Sequence, residues 1–491
     1  MRSCTALPLA KNAAAPTNKF PAVASADRRK CLSRRHFLRV GVAFVTGAAL
    51  SACTPWNDAF LAPLDAQSSD GLPMPNREEI QIVYQDWRTD WFPDIVEELL
   101  AEFHEEHPNI RVFFTPDPDN LADAMLLDMQ AGTAPDLFWG GSTFFPIWAQ
   151  QGYLLDLRDY VAADLALATV VDWDPAQYRA FFLSNGQQFG LPKYHGAVAL
   201  YYNKALFDAA GIDYPNAQWS YDDYWLAMQR LTHDTTDGAR DQWGSMVDIA
   251  WDHLQIYVNG WGGHLVAPYD AAFCTADEPA ATTALEWLRT RMWDEHIMAG
   301  FPDVQYMSPR SAFINQRVAM VEEGSWVLKE ILRNSDFPVG VAPLPRGPVR
   351  RVTLATSDGF GIYRDTQYPE ASWEFLKFLT SERFGLALAQ ADFLQPARAS
   401  LIDQWMGFIR EEFPEKAQNL DLTAFADGHL RGYSVTVEIA DNMAEVEPQL
   451  TAAFEQIFTL GQAPVSMMHA VCAQINRTQR NGSGQRPRLA E

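Results

Sequence analysis

The chain has 491 residues, 48% of them hydrophobic and 12% aromatic, enough to bury large cores in two or three domains. Its net charge of −24 opposes phosphate backbones and anionic surfaces, so nucleic-acid binding is not expected. The first 52 residues hold nine Lys/Arg against one Asp, so the rest of the chain carries −32.

Residues 33–53 have the form of an address. Arg34 and Arg35 precede a modestly apolar run, rich in Gly, Ala and Thr, that ends in Leu50-Ser51-Ala52-Cys53. A basic segment, a short apolar segment and a small-residue cleavage site define an export signal. Paired arginines at that place suggest the twin-arginine route. The run is well short of the ~20 residues a spanning helix needs. Leu50 to Cys53 resembles the lipobox of bacterial lipoproteins, which implies cleavage before Cys53 and lipid on that residue. Residues 1–52 therefore read as a signal peptide. Residues 53–76, with four prolines among Ser, Asp, Gln and Gly, read as a flexible tether of about 25 Å.

An apolar strand is predicted over 80–84. A helix follows over 93–107, with Ile95, Leu99, Leu100 and Phe103 on one face, until Pro108-Asn109 breaks it. Residues 110–115 form a second strand, 119–131 a helix, 135–139 a short strand before Gly140-Gly141, and 143–150 another helix. Such alternation predicts βαβ units and a largely parallel sheet, whose ligands gather at the carboxyl ends of strands. Asp86-Trp87 and Trp139-Gly140 fall there.

A second region opens near Leu191-Pro192, with a strand over 199–203 and a helix through Ala210 that Gly211 terminates. Ser220 and Asp223 form a capping box. Helices are predicted over 280–295 and 303–318, an extended segment over 339–345, and a crossing strand over 357–362. Further helices are predicted over 368–380 and beyond Met443. The tail, 479–491, is expected to be disordered. Cys4 and Cys31 lie in the signal, which leaves Cys274 and Cys472, expected to stay free thiols. No His or Cys stands at zinc-ligand spacing from either, so no metal and no cofactor are expected.

Residues 201–212, Tyr-Tyr-Asn-Lys-Ala-Leu-Phe-Asp-Ala-Ala-Gly-Ile, resemble the hallmark segment of the family 1 extracellular solute-binding proteins, the ligand-capturing parts of ABC importers. Further pieces follow in the family's order. They are Trp219 before an acidic helix start, Leu231-Thr232, Trp261-Gly262-Gly263, residues 313–326, 341–345 and 373–379, and Gln395-Pro396-Ala397-Arg398. Together they cover nearly all of residues 78–475. The chain departs from the pattern at Asn315-Gln316, in place of a glycine region. It departs again at Lys193-Tyr194-His195, where the family has small residues; bulky groups there reshape a cleft.

The resemblance implies an α/β, two-lobed periplasmic-binding-protein fold of type II. Each lobe is then a mostly parallel sheet flanked by helices, hinged by crossing strands. Lobe 1 would hold 77–192 and part of 362–410. Lobe 2 would hold 193–357 and the C-terminal helices of about 411–478. The junctions would lie near 191–194 and 357–362, with Gly359 and Gly361 suited to hinge motion.

A sugar presents apolar C–H faces and a rim of hydroxyls, so it is held by aromatic platforms and directional polar groups. By resemblance, Trp139 and, on the opposite lobe, Trp326 occupy stacking positions, with Gly324 allowing close backbone approach. Trp87 follows the first strand. Tyr194, Trp251 and Trp261 could stack on ligand or belong to a core. Asp86 and Asp358 could accept hydroxyl hydrogen bonds or serve as caps. Arg398 could grip a hydroxyl pair, a ligand carboxylate or a neighbouring acid. His104, His107 and His253 read as surface or helix-end residues, and Glu322-Glu323 as a solvated turn.

The function expected is capture of a carbohydrate by an exported, lipid-anchored monomer at the outer face of the cytoplasmic membrane or in the periplasm, serving an ABC permease without catalysis. A glycoside hydrolase would need carboxylates roughly 5–9 Å apart, and no motif pairs them. No G-x-S-x-G, H-E-x-x-H or P-loop motif occurs. A binder of a sugar acid, polyol or phosphodiester stays open through Arg398, Lys193 and His195.

Overall fold

The computed structural model describes residues 79–268 and 271–483. The signal with Arg34, Arg35 and Cys53, the tether, and residues 484–491 of the tail lie outside the described residues. The strands run, in chain order, β1 (Ile80–Asp86), β2 (Ile110–Pro116), β3 (Leu137–Gly140), β4 (Leu191–Pro192), β5 (Val198–Asn203), β6 (His233–Asp234), β7 (Arg240–Met246), β8 (Val318–Gly324), β9 (Val339–Ala342), β10 (Thr353–Leu354), β11 (Gly359–Ile362) and β12 (Ser434–Val435). They make one sheet in the order β2-β1-β3-β11-β4, a second in the order β6-β7-β8-β5-β9, and a small β10-β12 pair. Two α/β layers result, each wrapped in helices, as the family resemblance implies.

Local signals built these elements. In β1, Ile82 and Tyr84 alternate into the core, and the helix Phe92–Glu106 sends Val96, Leu99, Leu100 and Phe103 against them. β1 and β2 run parallel from Ile80↔Ile110 to Asp86↔Pro116, so both end on the same edge. The helix Lys204–Ala210 starts at Asn203, whose side chain accepts from Ala205 N and Leu206 N, and stops at Gly211 with φ 61°. The capping box of Ser220 and Asp223 is formed.

Several expectations are corrected. The second sheet is mainly antiparallel: β5 opposes both β8 and β9, and β6 opposes β7. Only β7 and β8 run parallel there. β5 is the reversed strand: it lies between β8 and β9 and opposes both, while β7, β8 and β9 share one direction. Over 303–318 only Pro309–Ile314 is helical; Gln305 and Tyr306 have positive φ, and Val318 begins β8. The predicted helix over 280–295 ends as an α-helix at Arg289 and continues as a π-turn, Thr290–Asp294. The last helix, Met467–Ser483, extends through residues 479–483 of the expected tail.

Cys274 and Cys472 are joined in a disulfide, with Cα atoms 5.2 Å apart, rather than free. Asn476 draws the two segments together by accepting from Cys274 N (2.8 Å) and donating to Cys274 O (3.1 Å). Gly359 and Gly361 have no positive φ. A Cβ on Gly361 would lie 2.7 Å from Phe145 Cζ, and one on Gly359 would strike the Phe181 ring. Their bareness makes room for aromatic packing. The helix Ile402–Glu412 buries Ile402, Trp405, Met406 and Ile409 in the core beneath the second sheet. Among the described residues no helix is long and apolar enough to cross a membrane.

Candidate functional site

Two chain segments cross between the sheets side by side: 193–197 between β4 and β5, and 355–358 between β10 and β11. Lys193 N donates to Asp358 O (3.0 Å), Thr356 N donates to Gly196 O (2.8 Å), and Ala197 pairs with Ala355. The aromatic and acidic candidates assemble around this ladder.

On the first-sheet side the anchor is a buried ion pair between Lys193 and Asp86, both side chains fully buried. Asp86 Oδ1 also accepts from Trp87 N (2.7 Å), and Oδ2 accepts from the Tyr84 hydroxyl. Both carboxylate oxygens are therefore engaged inside the protein, and Asp86 does not face outward toward a ligand. Burial raises the Asp86 pKa against the pull of Lys193, and burial lowers Lys193 to about 8. The ammonium lies 3.1 Å from the centre of the Trp87 ring and 5.3 Å from that of Trp139.

Trp87 meets Trp139 edge to face at 5.5 Å and Tyr194 at 5.6 Å. The Trp139 indole donates to Asp117 Oδ2 (2.5 Å), and burial, with nearby Asp86, pushes Asp117 up to about 6. The Tyr194 hydroxyl bonds Asp358, which burial raises to about 6 against the attraction of Lys193. Trp87, Trp139, Tyr194 and Asp358 are thus brought together, and Asp117 joins them. Asp117 was not among the sequence-predicted residues. Its signal was its place immediately after the carboxyl end of β2.

From the second-sheet side comes Trp326, in the turn Ser325–Val327 that follows β8. It is partly exposed and packs against the cores of both sheets. Its ring covers Gly196, where a Cβ would sit 2.8 Å from Trp326 Cε3. Gly324 likewise has no room for a Cβ beneath that ring, and its carbonyl accepts from the Tyr201 hydroxyl (2.8 Å). The helix Trp251–Gly260 begins close by, near enough for Asp252 to raise Asp358 further.

Other predicted residues stand elsewhere. Trp251 is 4% exposed and belongs to the second core. Trp261 packs on Tyr221 (4.8 Å) and Trp287 (5.8 Å). The Arg398 guanidinium reaches Glu382 (3.4 Å) and Thr380 O (3.0 Å), within the first lobe's helical layer. His253 is buried, not a surface residue. Glu322 is no solvated turn either: β8 is an inner strand, so Glu322 is buried and accepts from the Tyr257 hydroxyl (2.5 Å). Burial raises Glu322 to about 7 against that bond.

His253 Nδ1 lies 2.9 Å from Asp252 Oδ1. Burial alone would lower its pKa, but Asp252, with Asp248 and Glu323 beyond, outweighs burial and holds it at about 9. A raised histidine stabilises the fold fully below its ordinary value of 6.5, and that stability is lost as pH climbs to about 9. The shift corresponds to roughly 3 kcal/mol. Urea unfolding across this range should show stability falling with pH, and His253→Gln should flatten the fall. An unchanged slope in the variant would remove His253 as its source.

A cavity of about 430 Å³ opens between Gln150 with residues 182–185 and Ala271, Ile439 and Asp441. Gln150 Nε2 donates to Ala440 O (2.7 Å) and Ser184 Oγ to Asp441 (3.1 Å) across it. None of the sequence-predicted site residues lines this cavity.

A family model described as bacterial extracellular solute-binding protein matches residues 86–384. A protein of Brucella abortus (strain 2308), named only as a binding protein, is 25% identical over 291 residues, 58% of this chain and 67% of that protein. A maltotriose-binding protein of Pyrococcus abyssi is 21% identical over 300 residues, 58% of this chain and 59% of its own length. An ABC substrate-binding protein of Listeria monocytogenes, solved in complex with cycloalternan, superposes with a TM-score of 0.69 at 20% identity, covering 83% of this chain and 100% of that one.

Proposed function

The chain belongs to the bacterial extracellular solute-binding proteins, and from that premise we propose that it captures an oligosaccharide outside the cytoplasm and delivers it to an ABC permease. The family binds solutes and is not a family of enzymes. The observation that carries the sugar reading is the aromatic face where the sheets meet. Trp87, Trp139 and Tyr194 stand at first-sheet strand ends, Trp326 stands on the second-sheet side, and Asp117 and Asp358 lie among them. Indole faces suit the C–H surface of a sugar ring, and carboxylates accept from its hydroxyls. That the Listeria neighbour holds cycloalternan and the Pyrococcus relative is named for maltotriose agrees with this.

The same geometry weighs against an anionic solute. The three basic side chains that would receive one each already face an acid: Lys193 faces Asp86, His195 faces Asp174 and Arg398 faces Glu382. Micromolar capture, about −8 kcal/mol, is within reach of two or three stacked rings and several hydrogen bonds.

A thermal-shift screen tests the reading. A neutral oligosaccharide should raise the melting midpoint without being cleaved. A shift with a sugar acid or phosphodiester but with no neutral sugar would replace this ligand class, and product release would replace binding by hydrolysis. In this reading the lobes close as a hinge about residues 191–194 and 357–362. The export signal around Arg34 and Arg35, lipidation of Cys53 and the proline-rich tether hold a monomer beside its permease on the outer face of the membrane.

A further inference from the structure

A second cluster lies at the junction, apart from the aromatic face. Asp174 caps the helix Pro175–Ala180: its Oδ1 accepts from Ala176 N (2.7 Å) and Gln177 N (3.3 Å). Its Oδ2 points the other way, 3.1 Å from His195 Nε2 and 2.5 Å from the Ser434 hydroxyl, which donates to it. His195 is fully buried in the crossing 193–197. Its ring stacks on His429, with centres 5.2 Å apart and planes at 25°. His429 sits, partly exposed, in the helix Thr423–Arg431. One donor atom from each of the three residues lies within 4.8 Å of the others. Among the described residues, the buried Nδ1 atoms of both histidines have no hydrogen-bond partner.

We propose that Asp174, His195 and His429 form a binding site for a divalent transition metal of the zinc type, set between the lobes. Two imidazoles and one carboxylate suit zinc and its neighbours in the first row. Calcium and magnesium take oxygen donors instead. In a tetrahedral zinc site with bonds near 2.0–2.2 Å, ligand atoms stand roughly 3.4 Å apart. The Asp174–His195 pair already meets that spacing at 3.1 Å. His429, at the surface end of the cluster, closes the remainder by about an ångström of side-chain adjustment, and a water completes the fourth position. Ser434 then serves as the donor that orients the ligating carboxylate, as such outer groups do elsewhere.

The metal would tie together three segments that are remote in the chain: the start of a first-lobe helix, the crossing between the sheets and a C-terminal helix. Its ligands are not at motif spacing, so no scan of His and Cys intervals reveals them.

The test is titration of the EDTA-stripped full chain with Co²⁺, followed by displacement with Zn²⁺. One saturable equivalent with a visible cobalt spectrum is expected. Asp174→Asn and His429→Ala, each with native circular dichroism, should weaken Co²⁺ binding at least about a hundredfold, since even outer groups of metal sites cost ten- to a hundredfold. Trp139→Ala should leave the cobalt spectrum unchanged. Absence of saturable uptake overturns the proposal and leaves the trio as a hydrogen-bonded latch. Uptake that persists unchanged in His429→Ala overturns it equally, by placing the metal on surface histidines.

Discussion

Lys193→Met should cost the folded chain about 3–5 kcal/mol at neutral pH, the loss expected when one partner of a buried ion pair is removed. Methionine replaces most of the lysine stem, so the cavity left is small. What disappears is the cation. Asp86, 0% exposed, keeps its bonds from Tyr84 and Trp87 N but has no counter-charge. Its pKa, raised already by burial, must climb further, so that the folded state holds a proton the unfolded chain releases. The penalty therefore grows as pH rises above the ordinary carboxylate value of 3.8 and shrinks toward acid pH, where Asp86 is neutral in both states. Urea unfolding at pH 5 and pH 7 should show this difference. The double variant Asp86→Asn with Lys193→Met should recover much of the loss, because no buried charge is then unpaired. A loss below about 1 kcal/mol at pH 7, the size of an exposed pair, would mean that water reaches Asp86.

The Lys193–Asp86 pair joins positions that no local sequence pattern connects. Short-range signals were legible: the alternation in β1, the cap at Asn203, the box of Ser220 and Asp223, and the arrest at Gly211 each depend on residues a few positions apart. So was the strand-end logic that placed Trp87 and Trp139 on one edge, since β1 and β3 run parallel. Asp86 looked equally suited to ligand, but its fate depends on Lys193, 107 positions away. Adjacent acids at Glu322 and Glu323 imitate a solvated turn, and only the inner position of β8 reveals otherwise. The same holds for Cys274 and Cys472, 198 positions apart, and for Arg398, whose guanidinium turns to Glu382 and Thr380. In each case the deciding neighbour is supplied by tertiary packing, and no local pattern encodes it. Asp117 is different. It directly follows β2 on the same edge as Trp87, so the strand-end argument, applied to all the first strands, would have included it.

Trp139→Ala and Trp326→Ala should each weaken oligosaccharide binding at least tenfold, about 1.4 kcal/mol or more, and by different routes. Trp139 offers its ring from the first sheet and holds Asp117 through its indole N–H (2.5 Å). Removing it deletes a platform and frees a carboxylate that burial and Asp86 have raised to about 6. Hydrogen bonding from that carboxylate to a hydroxyl then loses its fixed direction, so affinity falls with little change in melting midpoint. Trp326 packs against the cores of both sheets and covers Gly196 and Gly324, so its loss costs stability as well. Because it bridges the two lobes, alanine there should raise the dissociation rate more than it slows association, the usual division for interface contacts. Titration calorimetry with the sugar found by screening, paired with stopped-flow release, separates the two routes. Unchanged affinity in both variants would move the ligand away from the aromatic face, and the cavity beside Gln150 and Asp441 would be the place to look next.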